Sequence, residues 1–196
     1  MRGRFDRPAS VSVASVTAFP GTAVSTNTGD LSWSNPSNVT ADDGTNATQA
    51  NTGSKTAVND SLDCDNFDFS SIPSGATIDG IEVVIERAEG TTGNNIYDYT
   101  VRLFKAGSLT GDNKADTVNE WPTTITAKTY GGAADLWGTT WTDSDVKDPD
   151  FGVRMTNQKV SLSSSSGSNT VDYVKVTVYY TESSSFVPRL SLLGVG

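Results

Sequence analysis

Histidine is absent from this 196-residue chain, and cysteine occurs once, as Cys64. Those two counts remove Ser-His-Asp and Cys-His nucleophile pairs, histidine metal sites and any internal disulfide. Cys64 lies in SLDCDNF between Asp63 and Asp65. Neighbouring carboxylates raise a thiol pKa, so Cys64 reads as a small buried side chain and not as a nucleophile. Carboxylates are numerous, yet no spacing singles out the facing pair that glycoside hydrolysis needs. The chain reads as a non-enzyme.

The acidic residues raise a second question, that of a hard cation. Asp42, Asp43 and Asn46 share one loop, and Asp143, Asp145, Asp148 and Asp150 share another. Calcium takes such oxygens, but neither run has the EF-hand pattern, and Asp is also the ordinary residue of turns and caps. The first reading is no cofactor; calcium is the alternative.

Aromatic residues could serve a ligand without catalysis. In YGGAADLWGTTWTDSDV, residues 130–146, Trp137 and Trp141 would point to one face of an extended strand, roughly 13 Å apart. With Trp121 they suit either a platform for sugar rings or the anchor of a core. Gly131, Gly132 and Gly138 look like backbone bends around large inward side chains, which favours the anchor.

The elements that must carry these residues are strands. In GIEVVIERAEG, Ile81, Val83 and Ile85 alternate with Glu82, Val84 and Glu86. IYDYTVRLFKAG predicts Tyr97, Tyr99, Val101 and Leu103 on one face, against Asp98, Thr100, Arg102 and Phe104. TVDYVKVTVYYTE sets Val174, Val176, Val178 and Tyr180 against Tyr173, Lys175, Thr177 and Tyr179. Further strands are expected at 11–18, 56–62, 67–69, 124–129 and 151–156. Turn clusters such as ADDGTN, GTTGNN and SSSSGSN separate them. No amphipathic helix is visible beyond one turn at TDSDV, which Thr142 and Asp145 could cap. The expected fold is all-β: an antiparallel two-sheet β-sandwich, jelly-roll-like, with extended N- and C-terminal arms.

Net charge is −9 and the isoelectric point about 4.3. An acidic body repels nucleic acid and anionic membranes, so neither is an expected partner. No apolar run approaches the ~20 residues of a membrane-spanning helix. The basic start MRGRFDRPASVSV lacks the apolar core of a secretory signal, so the sequons at Asn38, Asn46 and Asn59 read as chance.

Three parts are expected: a basic N-terminal arm (1–9), the sandwich (10–181) and an apolar C-terminal tail (182–196). Arg2, Arg4, Phe5 and Arg7 in the arm, and Phe186, Val187, Leu190, Leu192 and Leu193 in the tail, are candidate interface residues. An apolar tail of this kind docks on its own sandwich or on a neighbouring subunit.

The succession IDGIEVVIER, YDYTVRLFKAG, YGGAADLWGTTWTDSDV, DPDFGVRM and VDYVKVTVYYT resembles a β-sandwich domain of virion structural proteins in tailed bacteriophages, over Leu31 to Thr181. The resemblance implies a capsid decoration (cement) protein. It would assemble in the host bacterial cytoplasm onto the outer capsid surface. Its partners would be the major capsid protein and copies of itself, a homo-oligomer such as a trimer. A tail or head-fibre adsorption module that binds host surface carbohydrate is the alternative. The decoration reading predicts that deleting residues 183–196 leaves the sandwich folded and abolishes self-association or particle binding. Sedimentation and particle-binding assays of the truncated chain check this, and normal decoration would remove the tail from the mechanism.

Overall fold

The computed structural model describes residues 11–51, 57–90, 95–160 and 167–183. Arg2, Arg4, Phe5, Arg7 and the five apolar tail candidates lie outside them.

Among the described residues, eleven strands run in chain order: β1 (Val11–Ala18), β2 (Thr22–Thr26), β3 (Ala47–Asn51), β4 (Ala57–Val58), β5 (Ser61–Asp65), β6 (Thr77–Ala88), β7 (Ile96–Lys105), β8 (Ser108–Thr110), β9 (Thr126–Gly132), β10 (Gly152–Lys159) and β11 (Gly167–Ser183). A 3-10 turn spans Pro36–Thr40, and one short helix, α1, spans Asp143–Lys147. Thr142 and Asp145 close a reciprocal capping box at its start, which satisfies two backbone donors the helix leaves unpaired.

The strands form two antiparallel sheets. One runs β1-β11-β6-β9, with β3 also on β11; the other runs β2-β5-β10-β7-β8, with β4 on β10. Ile81, Val83 and Ile85 of β6 and Val174, Val176 and Val178 of β11 face Leu62, Val101, Leu103, Val153 and Met155 of the second sheet in one core. The fold is thus an all-β antiparallel sandwich. Alternation identified β1, β6 and β11. Residues 67–69 are not a strand: Phe67 and Phe69 stack on each other and edge onto Phe151, a plug of three aromatics at one end of the core.

Strand β7 corrects the expected alternation. Its register against β10 pairs Thr100 with Thr156 but Asp98 with Asn157, so Tyr99 is an extra residue. Such a bulge flips every side chain beyond it to the other face. Val101 and Leu103 stay in the core, Asp98 turns inward, and Tyr97 and Tyr99 point out.

The inward Asp98 meets a buried set of donors. Its Oδ1 accepts from Trp121 Nε1 at 2.7 Å, and its Oδ2 accepts from Tyr130 Oη at 2.7 Å and from the Asp116 amide at 2.9 Å. Arg87 of β6 lies 3.4 Å away and stacks over the Trp121 ring. Burial, with the Asp98 charge beside it, pushes the Tyr130 hydroxyl pKa up. A second buried chain of amides runs from Asn59 through Asn157 and Gln49 to the Leu31 carbonyl.

All four tryptophans are buried: Trp33, Trp121, Trp137 and Trp141. Trp137 has φ 58° and donates its ring N–H to the Ile81 carbonyl at 2.9 Å. Gly131, with φ +70°, leaves it room: a Cβ there would stand 2.4 Å from the Ile81 oxygen and 2.6 Å from Trp137 Nε1. Both contacts are prohibitive, and the backbone angle itself disfavours a side chain. The Gly131→Ala variant should lose about 2–4 kcal/mol of stability through strain and overpacking, measured by urea denaturation followed by tryptophan fluorescence.

Candidate ligand-binding face

Burial of Trp121, Trp137 and Trp141 corrects the platform alternative: none of their rings is available as an exposed surface. Exposed aromatic area lies instead on the outer face of the six-stranded sheet. There β7 presents Tyr97, Tyr99, Arg102 and Phe104 in sequence, and Tyr99 is 47% exposed. From Tyr97 to Phe104 the strand spans about 23 Å at ~3.3 Å per residue.

The two ends of this row differ in chemistry. Around Tyr97 lies a depression of ≈ 380 Å³ lined also by Asn95, Thr117, Val118, Gln158 and Val160. A smaller one of ≈ 200 Å³ shares Gln158 and Val160 and continues it to Ala57 and Val58. Both are neutral apart from Lys159. Around Phe104 a depression of ≈ 240 Å³ is lined by Val24, Asp63, Asp65, Gly107, Asp150 and Arg154.

Arg154 organises the acidic end. Its guanidinium binds Asp63 through two bonds, Nε to Oδ1 at 2.7 Å and Nη2 to Oδ2 at 2.5 Å, and lies over the Phe104 ring at 5.3 Å. The fork geometry fixes both side chains, and pairing with Asp63 raises the Arg154 pKa. Thr26 adds a hydroxyl donor to Asp63 at 2.7 Å. Asp65 has no such cation. Burial pushes its pKa up, the Thr22 hydroxyl partly offsets this, and the charges of Asp150 and Asp63 raise it further.

The edge of β7 is sealed rather than open. Asn113 accepts from the Val101 amide at 2.8 Å and donates to the Tyr99 carbonyl at 3.0 Å. These bonds occupy backbone groups on the edge of β7 that β8, which pairs only with Leu103–Lys105, does not reach. Tyr99 is thereby held from its backbone while its ring remains in solvent.

The cation-binding expectations divide. Asp143 pairs with Lys147, Asp145 caps α1 and pairs with Lys105, and Asp148 accepts from the Asp150 amide, so that loop spends three carboxylates on its own structure. Asp43 likewise accepts from Thr45 within its turn. Asp42 falls with Glu86 and Asp172, two residues distant in sequence that no local spacing could have joined to it. Cys64 is buried, and burial followed by the charges of Asp63 and Asp65 raises its pKa.

No family model and no curated protein matches the chain. Solved structures similar to it include a family 11 carbohydrate-binding module from Clostridium thermocellum in complex with a β-1,3-1,4-mixed-linked tetrasaccharide, at 10% identity and TM-score 0.37, covering 84% of this chain and 87% of that one. The family 11 module of the cellulosomal cellulase Lic26A-Cel5E of the same organism gives 10% identity and TM-score 0.36, over 84% and 86%. The N-terminal cellulose-binding domain of Cellulomonas fimi β-1,4-glucanase C gives 9% and 0.31, over 87% and 91%. At TM-scores this low the likeness carries no inference about a ligand.

Asp65 gives the face a pH signature. Its raised native pKa means that folding takes up a proton there. The ionised form therefore costs stability at neutral pH, and the cost fades as pH falls through the raised native value, vanishing below the unfolded value of about 3.9. The Asp65→Asn variant should be more stable than the parent at pH 7 and equal to it below pH ~3.5, read from urea midpoints across pH.

Proposed function

We propose that this chain is a non-catalytic β-sandwich module that binds carbohydrate through the outer face of its six-stranded sheet. The observation that carries the reading is the row of outward aromatics on β7, with Tyr99 raised into solvent by a bulge whose backbone is sealed. Aromatic faces take the apolar C–H surface of a sugar ring at little entropic cost, because two torsions fix the ring. The flanking amide of Gln158 and the carboxylates and guanidinium near Phe104 supply the few directed hydrogen bonds that such a site needs. Three carboxylates at one end, on a chain of net charge −9, favour neutral polymers over uronic or sialic acid chains. In the virion setting that the sequence resemblance implies, the module would serve adsorption to a host surface.

The capsid-decoration reading rests on the terminal arms and on the resemblance, and it stands as the competing proposal. Glycan binding separates the two. Affinity electrophoresis against neutral and acidic polysaccharides should show retardation by at least one neutral polymer. Tyr99→Ala should weaken it by about tenfold or more while leaving the melting temperature within a degree or two, since Tyr99 lies on the solvent face outside the core. A chain that no polymer retards, or a Tyr99→Ala variant retarded like the parent, would end this reading.

A further inference from the structure

The opposite sheet carries a cluster of carboxylates, separate from the face proposed to bind carbohydrate. Where β11 pairs with β6, the register runs from Val171 opposite Arg87 to Val174 opposite Ile85, so Asp172 and Tyr173 both stand against Glu86. The loop after the 3-10 turn brings Asp42 to the same place. One carboxylate oxygen from each of Asp42, Glu86 and Asp172 lies within 4.8 Å of the other two. Asp172 is 3% exposed, and its Oδ1 is buried without a hydrogen-bond partner. A buried, unpartnered carboxylate oxygen is costly unless something positive meets it.

We infer that Asp42, Glu86 and Asp172 form a calcium site that ties the 41–46 loop to the bulge of β11. Calcium–oxygen bonds of about 2.3–2.6 Å allow two ligands on one ion to stand up to about 5 Å apart, so three oxygens within 4.8 Å of one another can share one ion. Magnesium, which demands strict octahedral geometry and usually keeps several waters beside one or two carboxylates, suits a three-carboxylate set less well. Three carboxylates also match the oxygen-only, negatively charged ligand sets that calcium takes, with backbone carbonyls or water completing the shell. The electrostatics without an ion are unfavourable: burial, a hydrogen bond with Asp172 and the charges of Asp172 and Asp42 all raise the Glu86 pKa, and Lys175 offsets this only in part. Tyr173 feels the same three carboxylates. The loop holds a further buried oxygen without a partner, Asn46 Oδ1, four residues after Asp42.

The test uses the full chain, stripped with a chelator and titrated with calcium chloride by calorimetry. Terbium luminescence excited through the nearby Tyr173 serves as a second readout. One ion per chain is expected, with a higher melting temperature in calcium than in chelator and calcium displacing terbium. Asp42→Asn should weaken binding by about tenfold or more with the apo fold unchanged, because Asp42 is exposed. Asp172→Asn should abolish binding and, by relieving repulsion, leave the apo protein as stable as the parent or more so. Absence of calcium heat and of terbium signal would overturn the site, as would both variants binding like the parent. Equal response to magnesium would do the same, since it would mark general attraction to an acidic surface.

Discussion

A buried charge pair sets the geometry on which much of this molecule depends. Arg87 and Asp98 come from opposite sheets and meet where water is excluded, their side chains 4% and 0% exposed. Two such charges are tolerable only if their remaining donors and acceptors are met. Here Trp121, Tyr130 and the Asp116 backbone surround the carboxylate, and the Trp121 ring covers the guanidinium. Removing one partner from a pair of this kind typically costs about 3–5 kcal/mol, because the other charge is left stranded. The pair therefore acts less as a source of net stability than as a registration pin between the two sheets.

That pin has a visible result at the surface. For Asp98 to reach inward while Val101 and Leu103 also face the core, β7 must take in one extra residue, and Tyr99 is that residue. The exposed tyrosines and the buried aspartate are two sides of one backbone adjustment. A similar adjustment on β11 brings Asp172 and Tyr173 together opposite Glu86. The Tyr99 row and the Asp42–Glu86–Asp172 cluster both lie at departures from regular pairing, and regular pairing around them holds them still.

The fold was largely legible because its signal is local. Ile81, Val83 and Ile85 alternate cleanly, as do Val174, Val176 and Val178, and each set occupies the core. The capping turn at Thr142 was equally plain, since its partners are three residues apart. Strands β2, β3 and β8 were missed because TAVST, ATQAN and SLT are short and rich in Thr, Ser and Ala. The β7 face was misjudged because YDYTVRLF alternates in sequence, and nothing in that stretch announces that Asp98 will be drawn to Arg87. Glycine spacing did point correctly to inward tryptophans. The grouping of Asp42 with Glu86 and Asp172 required the tertiary fold, for their separations in sequence carry no period.

Cys64 sits in β5 between Ala23 of β2 and Val153 of β10, and its thiol is 1% exposed. No reagent in solvent reaches that sulfur while the six-stranded sheet is closed, and the raised pKa keeps it in the unreactive thiol form. As the chain's lone thiol, it is a natural clock for breathing of the sheet: its alkylation rate counts how often β5 parts from its neighbours.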